Sequence, residues 1–219
     1  MQKYIKSSFC RFAPVFLLLL PAFASGQMLK SAGSEKLHFG ITVGGACNST
    51  FPSSGAWQFG PAQTKIGVTG GAFFQFDFAK RFFAYFELNV SGRRLAADGI
   101  SSDTAYGDFK LSCHYTDINV PVGLGISFFP ASSSFNASFL ACATVGLPQE
   151  NKKQITVNRQ DIEKGIRTVN VGVMAELRFK YDFVFLAFRY EFSGTDMFKY
   201  RRQAFKTGTF SFLLGFQII

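Results

Sequence analysis

Ile66-Gly-Val-Thr-Gly-Gly-Ala-Phe-Phe-Gln-Phe-Asp-Phe78 decides how this chain folds. One parity of the stretch reads Ile66, Val68, Gly70, Ala72, Phe74, Phe76 and Phe78. The other reads Gly67, Thr69, Gly71, Phe73, Gln75 and Asp77. Successive side chains of a strand point to opposite faces, so this stretch is a ribbon with one oily face and one small, mostly polar face.

The same alternation recurs along the chain and predicts eight strands, at about 37–46, 66–78, 82–95, 113–129, 135–147, 169–181, 183–193 and 208–219. The connections between them alternate in length. Those at 47–65, 96–112, 148–168 and 194–207 are long, whereas those at 79–81, 130–134 and around 182 are short. A barrel threaded up and down through a membrane sorts its connections in this way, with short turns on the periplasmic side and longer loops outside. The expected fold is therefore all-β: an eight-stranded antiparallel up-and-down transmembrane β-barrel.

The greasy parity is long enough to cross a bilayer. The fourth strand offers Ile118, Val120, Val122, Leu124, Ile126 and Phe128; the eighth offers Phe210, Phe212, Leu214, Phe216 and Ile218. A spanning strand needs about 9–11 tilted residues. Aromatic residues crowd the short-turn ends, at Phe78, Phe82, Phe83, Phe128, Phe129, Tyr181 and Phe183, where an interfacial girdle is expected. Alternation by itself does not say which face points outward. A soluble, exported lipocalin-like barrel binding an apolar ligand would turn the oily face inward. An eight-stranded interior is only just wide enough for side chains or one small ligand. So many bulky groups fit better outside.

The opposite parity then lines the lumen. It carries Asp77, Glu87, Arg93, Asp117, Glu176, Arg178, Lys180, Arg189 and Glu191. Nearly balanced charges in a narrow interior are expected to pair, because isolated buried charges are costly. The expectation is a network that closes the lumen rather than an open channel.

The first residues set the compartment. Lys3, Lys6 and Arg11 precede the apolar core Val15-Phe-Leu-Leu-Leu-Leu20, and Ala22-Phe-Ala24 offers small residues for cleavage. Residues 1–24 are expected to be a cleaved signal peptide, residues 25–36 a short periplasmic segment, and residues 37–219 the barrel. The chain's net charge is +9, with its basic residues scattered rather than clustered. That distribution favours lipid headgroups over nucleic acid as the anionic partner. Beyond the leader stand Cys47, Cys113 and Cys142. Cys47 and Cys113 fall at the same expected end of the barrel and are candidates for a disulfide in an oxidising compartment. Cys142 falls mid-strand, as a small packing residue does.

Three segments resemble a known family at this point. Gly67-x-x-Gly70-Gly71 leads to Phe78-Ala-Lys-Arg-Phe82 and then Phe86-Glu87-Leu88. Tyr115-Thr-Asp-Ile-Asn-Val-Pro121 follows, and then Phe188-Arg-Tyr-Glu-Phe-Ser-Gly194. Their order resembles the outer membrane β-barrel domain family, the PorT-like small barrels of gram-negative bacteria. The resemblance implies the cell outer membrane and a barrel over about residues 37–219. It assigns no activity, since one branch alone is tied to protein secretion. The ending Phe216-Gln-Ile-Ile219 departs from the terminal aromatic residue that such barrels often carry.

Chemistry is sparsely signalled. No phosphate-binding Gly-rich loop, Gly-x-Ser-x-Gly or Cys-x-x-Cys occurs, and His38 and His114 are the only histidines, so neither a cofactor nor a metal is expected. His114-Tyr-Thr116 places a histidine and a hydroxyl on one parity at the outer rim, the arrangement of a lipid A-modifying hydrolase. The hydroxyl is a threonine, and Asp117 falls on the other parity, so an ordinary polar rim is the expectation. Asn48-Ser-Thr50 and Asp103-Thr-Ala105 have the form of sugar-acceptor patterns. The long connections hold Phe51, Trp57, Phe59, Tyr106, Tyr200 and Phe205, candidate contacts for an extracellular protein or glycan. The expected role is thus structural or interactive rather than catalytic.

Overall fold

The structure, a computed structural model, describes the backbone of residues 36–54, 57–59, 65–101, 108–129, 134–157, 160–161, 168–196, 198–200 and 203–218, and side chains over most of these spans. Eight long strands run in chain order: β1 Lys36–Ser54, β2 Lys65–Asp77, β3 Phe82–Ser101, β4 Asp108–Ser127, β5 Phe135–Val157, β6 Asn170–Tyr181, β7 Val184–Ser193 and β8 Gln203–Gln217. Each pairs antiparallel with the next, and β1 pairs with β8 from Gly40↔Gln217 to Ser54↔Ala204, which closes the cylinder. Closure leaves the spanning wall without a free edge, as a sheet in lipid requires. Three short strands, Trp57–Phe59, Gln160–Asp161 and Phe198–Tyr200, pair with the outer ends of β3, β5 and β8.

The oily parity faces outward. Ile66, Val68, Val122, Leu124 and Val173 are exposed, while Thr69, Glu87, Asn119 and Arg189 are buried on the opposite face. On β6 the alternation is unbroken over its first ten residues. The lipocalin-like alternative is thereby corrected, because a ligand-binding barrel would show the reverse. The girdle forms from Phe78, Phe82, Phe128, Phe129, Tyr181 and Phe183, all exposed near the short turns. Phe83 is a correction: it is buried in the lumen, because it falls on the inward parity. At the tight turn between β6 and β7, Asp182 takes a positive φ of 53°. Aspartate tolerates this left-handed conformation better than most residues. Its amide also donates to the Ser134 carbonyl at 2.9 Å, which ties the turn to the start of β5.

The outer connections also differ from expectation. Much of 47–65, 96–112 and 148–168 is not loop but continued ladder. β3 and β4 stay paired out to Ile100↔Asp108, and β4 and β5 out to Phe109↔Val157. Apolar alternation marks only the part of a strand that touches lipid. Above the bilayer the backbone goes on pairing while the outward side chains become polar, so the periodic signal fades before the strand ends.

Candidate functional site

The lumen is built in layers. Nearest the short turns, Phe73, Phe83, Tyr85 and Phe185 form a buried aromatic layer with Leu140, Met174 and Leu213. Three of these rings lie over glycines directly across the ladder: Phe73 opposite Gly40, Phe83 opposite Gly125, and Phe185 opposite Gly215. A Cβ at Gly40, Gly125 or Gly215 would stand 2.5, 2.1 or 2.0 Å from the facing ring. Absence of a side chain on one strand is therefore what admits a ring from the next.

Arg178 joins the aromatic layer to the charges. Its guanidinium carbon lies 4.2 Å from the Phe185 ring centre, 5.1 Å from Tyr85 and 5.2 Å from Phe73. Such cation–π contact favours a guanidinium shielded from water. From there Arg178 Nη2 donates to Glu176 Oε1 at 2.7 Å. Arg189 is the hub of the next layer. Its Nη2 stands 2.6 Å from Glu87 Oε2 and 2.7 Å from Glu176 Oε2. Glu87 also accepts from the Tyr85 hydroxyl at 2.8 Å, Asn89 Nδ2 at 3.0 Å and the Thr42 hydroxyl at 3.1 Å. Each buried oxygen thus has a donor, the condition under which buried ions are tolerated.

Farther out, Arg93 pairs with Glu191 and stands 3.2 Å from Asp117 Oδ2. Its Nη1 donates to the Thr209 hydroxyl at 3.0 Å, and that hydroxyl donates to Asn48 Oδ1 at 3.0 Å. The network thins here. Arg93 Nε, the Tyr115 hydroxyl and Asp117 Oδ1 are buried without a hydrogen-bond partner among the described residues. At the opposite, short-turn rim, His38 Nε2 meets Asp77 Oδ2 at 3.0 Å, and Lys180 Nζ donates to Gln217 Oε1 at 2.7 Å. Gln217 also contacts His38. This cluster links β1, β2, β6 and β8.

The lumen residues named from parity thus fall into two groups. Glu87, Arg93, Asp117, Glu176, Arg178, Arg189 and Glu191 are buried inside, whereas Asp77 and Lys180 sit half-buried at the rim. Parity did not single out the aromatic layer, although the glycines opposite it are a readable signal once the register is known.

The other candidates are dispersed. Cys47 and Cys113 form no disulfide. β1 and β4 are not neighbours in the sheet. Cys113 is buried on the lumen side, and Cys47 stands on the outward parity of β1. A bridge would have to cross the wall, which disulfide geometry forbids. Asn48 is also no accessible sugar acceptor: it is buried, and its Nδ2 donates to the Lys65 carbonyl at 3.4 Å. His114 is exposed and Thr116 half-buried on the outer wall, while Asp117 faces Arg93 in the lumen.

Phe51 is exposed on β1. Trp57 and Phe59 lie on the short strand beside β3, and Tyr200 on the one beside β8; Phe205 pairs with Pro52 across the seam. Apart from Phe51, the side chains of these loop candidates lie outside the described residues, and Tyr106, Asp103 and residues 1–24 lie outside them altogether.

A profile of the outer membrane protein β-barrel domain matches residues 23–199. No curated protein matches the chain. Among solved structures, the fold is similar to the outer membrane protein OprG from Pseudomonas aeruginosa, with 13% identity, 85% of this chain and 98% of that one covered, and a TM-score of 0.50. It is also similar to Ail, the attachment invasion locus protein of Yersinia pestis, solved in complex with the heparin analogue sucrose octasulfate. There the identity is 13%, the coverage 84% of this chain and 99% of that one, and the TM-score 0.46.

Proposed function

The chain belongs to the outer membrane protein β-barrel domain family and resides in the outer membrane, and from that premise we propose that it is a closed scaffold presenting its outer hairpins to an extracellular protein or glycan. The observation that carries this reading is the uneven height of the wall. β3, β4 and β5 remain paired well beyond their apolar belts, whereas β7 ends at Ser193. A filled lumen leaves no evident use for the molecule as a conduit. A rigid ladder raised above the membrane is the kind of platform on which recognition residues are displayed. Neither catalysis nor nucleic-acid binding is part of this reading, and residues 1–24 serve as the export leader.

Surface crosslinking on intact cells, followed by affinity capture, tests the proposal. One arm uses the natural chain, the other a variant in which Asn-Gly replaces residues 97–111, joining the Ala96↔Ser112 pair by a two-residue turn. The trimmed barrel is expected to insert and to lose its crosslinked partner. Equal capture by both forms would remove the basis for the proposal.

A further inference from the structure

The outer surface of the barrel changes character along one row of the ladder. On β3, Phe82, Phe86 and Val90 are exposed to lipid, and the next outward residue with a functional side chain is Arg94, also exposed. The run from Phe82 to Arg94 climbs roughly 40 Å at ~3.3 Å per residue, or roughly 30 Å along the membrane normal at a tilt of about 40°. An apolar band is about 25 Å tall. Arg94 therefore stands at headgroup level on the outer side.

Its neighbours in the row are a histidine and a lysine. Arg94 is directly opposite His114 on β4, and His114 is opposite Lys152 on β5. A bulge produces the last pairing. Below it Tyr115 pairs with Glu150, and above it His114 pairs with Lys152, so one residue of β5 is skipped. An unbroken register would set Asn151 opposite His114. Bulges at barrel rims commonly serve to re-aim a position in this way. One row nearer the membrane, Gly92, Thr116 and Gln149 are paired in turn, which adds a hydroxyl and an amide to the outward face. The nearest acid of this parity on β3 is Asp98, two rows farther out and itself opposite Lys110.

Among the described residues, neither Arg94 nor His114 has an ion-pair partner. On the other side of the barrel, the outward outer ends of β6 and β7 show Val169, Val171, Tyr190 and Phe192, with no cation among their described residues. Arg94 and His114 face the outer wall, not the lumen.

We propose that Arg94 and His114, in a row that continues to the Lys152 position, form a binding site for the phosphate of an outer-leaflet glycolipid, held against the wall of β3–β5. The guanidinium supplies a two-pronged donor to phosphate oxygens, and the imidazole adds a further ring N–H. The acyl chains then lie along Phe86, Val90 and Val122 immediately below. A lipid is favoured over a soluble anion because the row adjoins this apolar belt.

The test uses the mature full-length barrel in dodecyl maltoside micelles, titrated calorimetrically with three probes: lipid A bearing both phosphates, the same lipid with its phosphates removed, and inorganic phosphate. Phosphorylated lipid A is expected to bind most tightly. Arg94→Gln and His114→Gln should each weaken it about tenfold, the loss expected for one charge-assisted contact, while Arg94→Lys retains part of the affinity. A Lys80→Gln/Arg81→Gln pair at the opposite rim should leave binding unchanged, and heat-shifted gel mobility reports that each variant is folded. Equal binding of the dephosphorylated lipid, or undiminished binding by the folded Arg94→Gln/His114→Gln variant, overturns the site. Inorganic phosphate binding as tightly as the lipid overturns the assignment to a glycolipid. The probe comparison with the natural chain stands even if a variant fails to fold.

Discussion

Arg189 shows how a charge is kept inside a membrane protein. It is essentially inaccessible to solvent, yet it touches carboxylates on two strands besides its own, Glu87 on β3 and Glu176 on β6. The wall is held across its diameter as well as around its circumference. Removing the cation alone strands Glu87 in a dry interior, since Glu176 keeps Arg178. Arg189→Met is therefore expected to cost about 3–5 kcal/mol in urea unfolding from lipid vesicles. Adding Glu87→Gln to that variant should recover much of the loss, because the Arg178–Glu176 pair that remains is then balanced. Further loss in the double variant would show that the individual hydrogen bonds, rather than charge balance, carry the stability. Asn89 illustrates the same economy with neutral groups: its amide donates to Glu87, while its oxygen accepts from Thr69 and Ser91, both at 2.8 Å.

At the level of elements, register determines what each residue can do. Phe185 on β7 fills the lumen only because Gly215 is its direct partner on β8. Gly215→Ala is expected to destabilise the barrel by about 1–3 kcal/mol, as overpacking does in a dense core. Pairing it with Phe185→Leu should restore part of that, since the ring is what the new methyl meets. Thermal loss of the heat-shifted gel band measures both. A register slip of one residue would reverse every face of a strand. The glycine–ring pairs and the Arg189 cluster act in adjacent layers to forbid it. The same dependence on register governs the outer row, where a single skipped residue in β5 brings Lys152 rather than Asn151 opposite His114.

For the whole molecule, two barriers in series fill the interior: an aromatic layer stacked on Arg178 and a set of interlocked ion pairs centred on Arg189 and Arg93. The purified barrel is accordingly expected to give no large, steady conductance in planar bilayers. Neutralising the ion pairs alone should leave it closed, because the rings remain. Removing both layers, with Phe73→Ala and Phe185→Ala added to Arg189→Ala, should produce leak currents. A steady open channel in the natural protein would contradict the filled lumen. The closed wall and the raised β3–β5 ladder together suit a molecule whose contacts are made outside the membrane.

The sequence by itself determined the number of spanning strands, their phase and the identity of the buried charges. Lipid imposes a strict period of two on every strand, and the seven acidic and basic residues buried in the lumen among the described residues all occupy the inward parity. Tertiary structure decided what parity cannot carry. It turned the oily face outward, set rings over glycines and placed Cys47 and Cys113 on opposite sides of the wall. It also extended the hairpins past the point where lipid ceases to select side chains. These outcomes depend on which residue lies across the ladder and at what height. Partner and height follow from closure and register between strands far apart in the chain, and no local pattern records them.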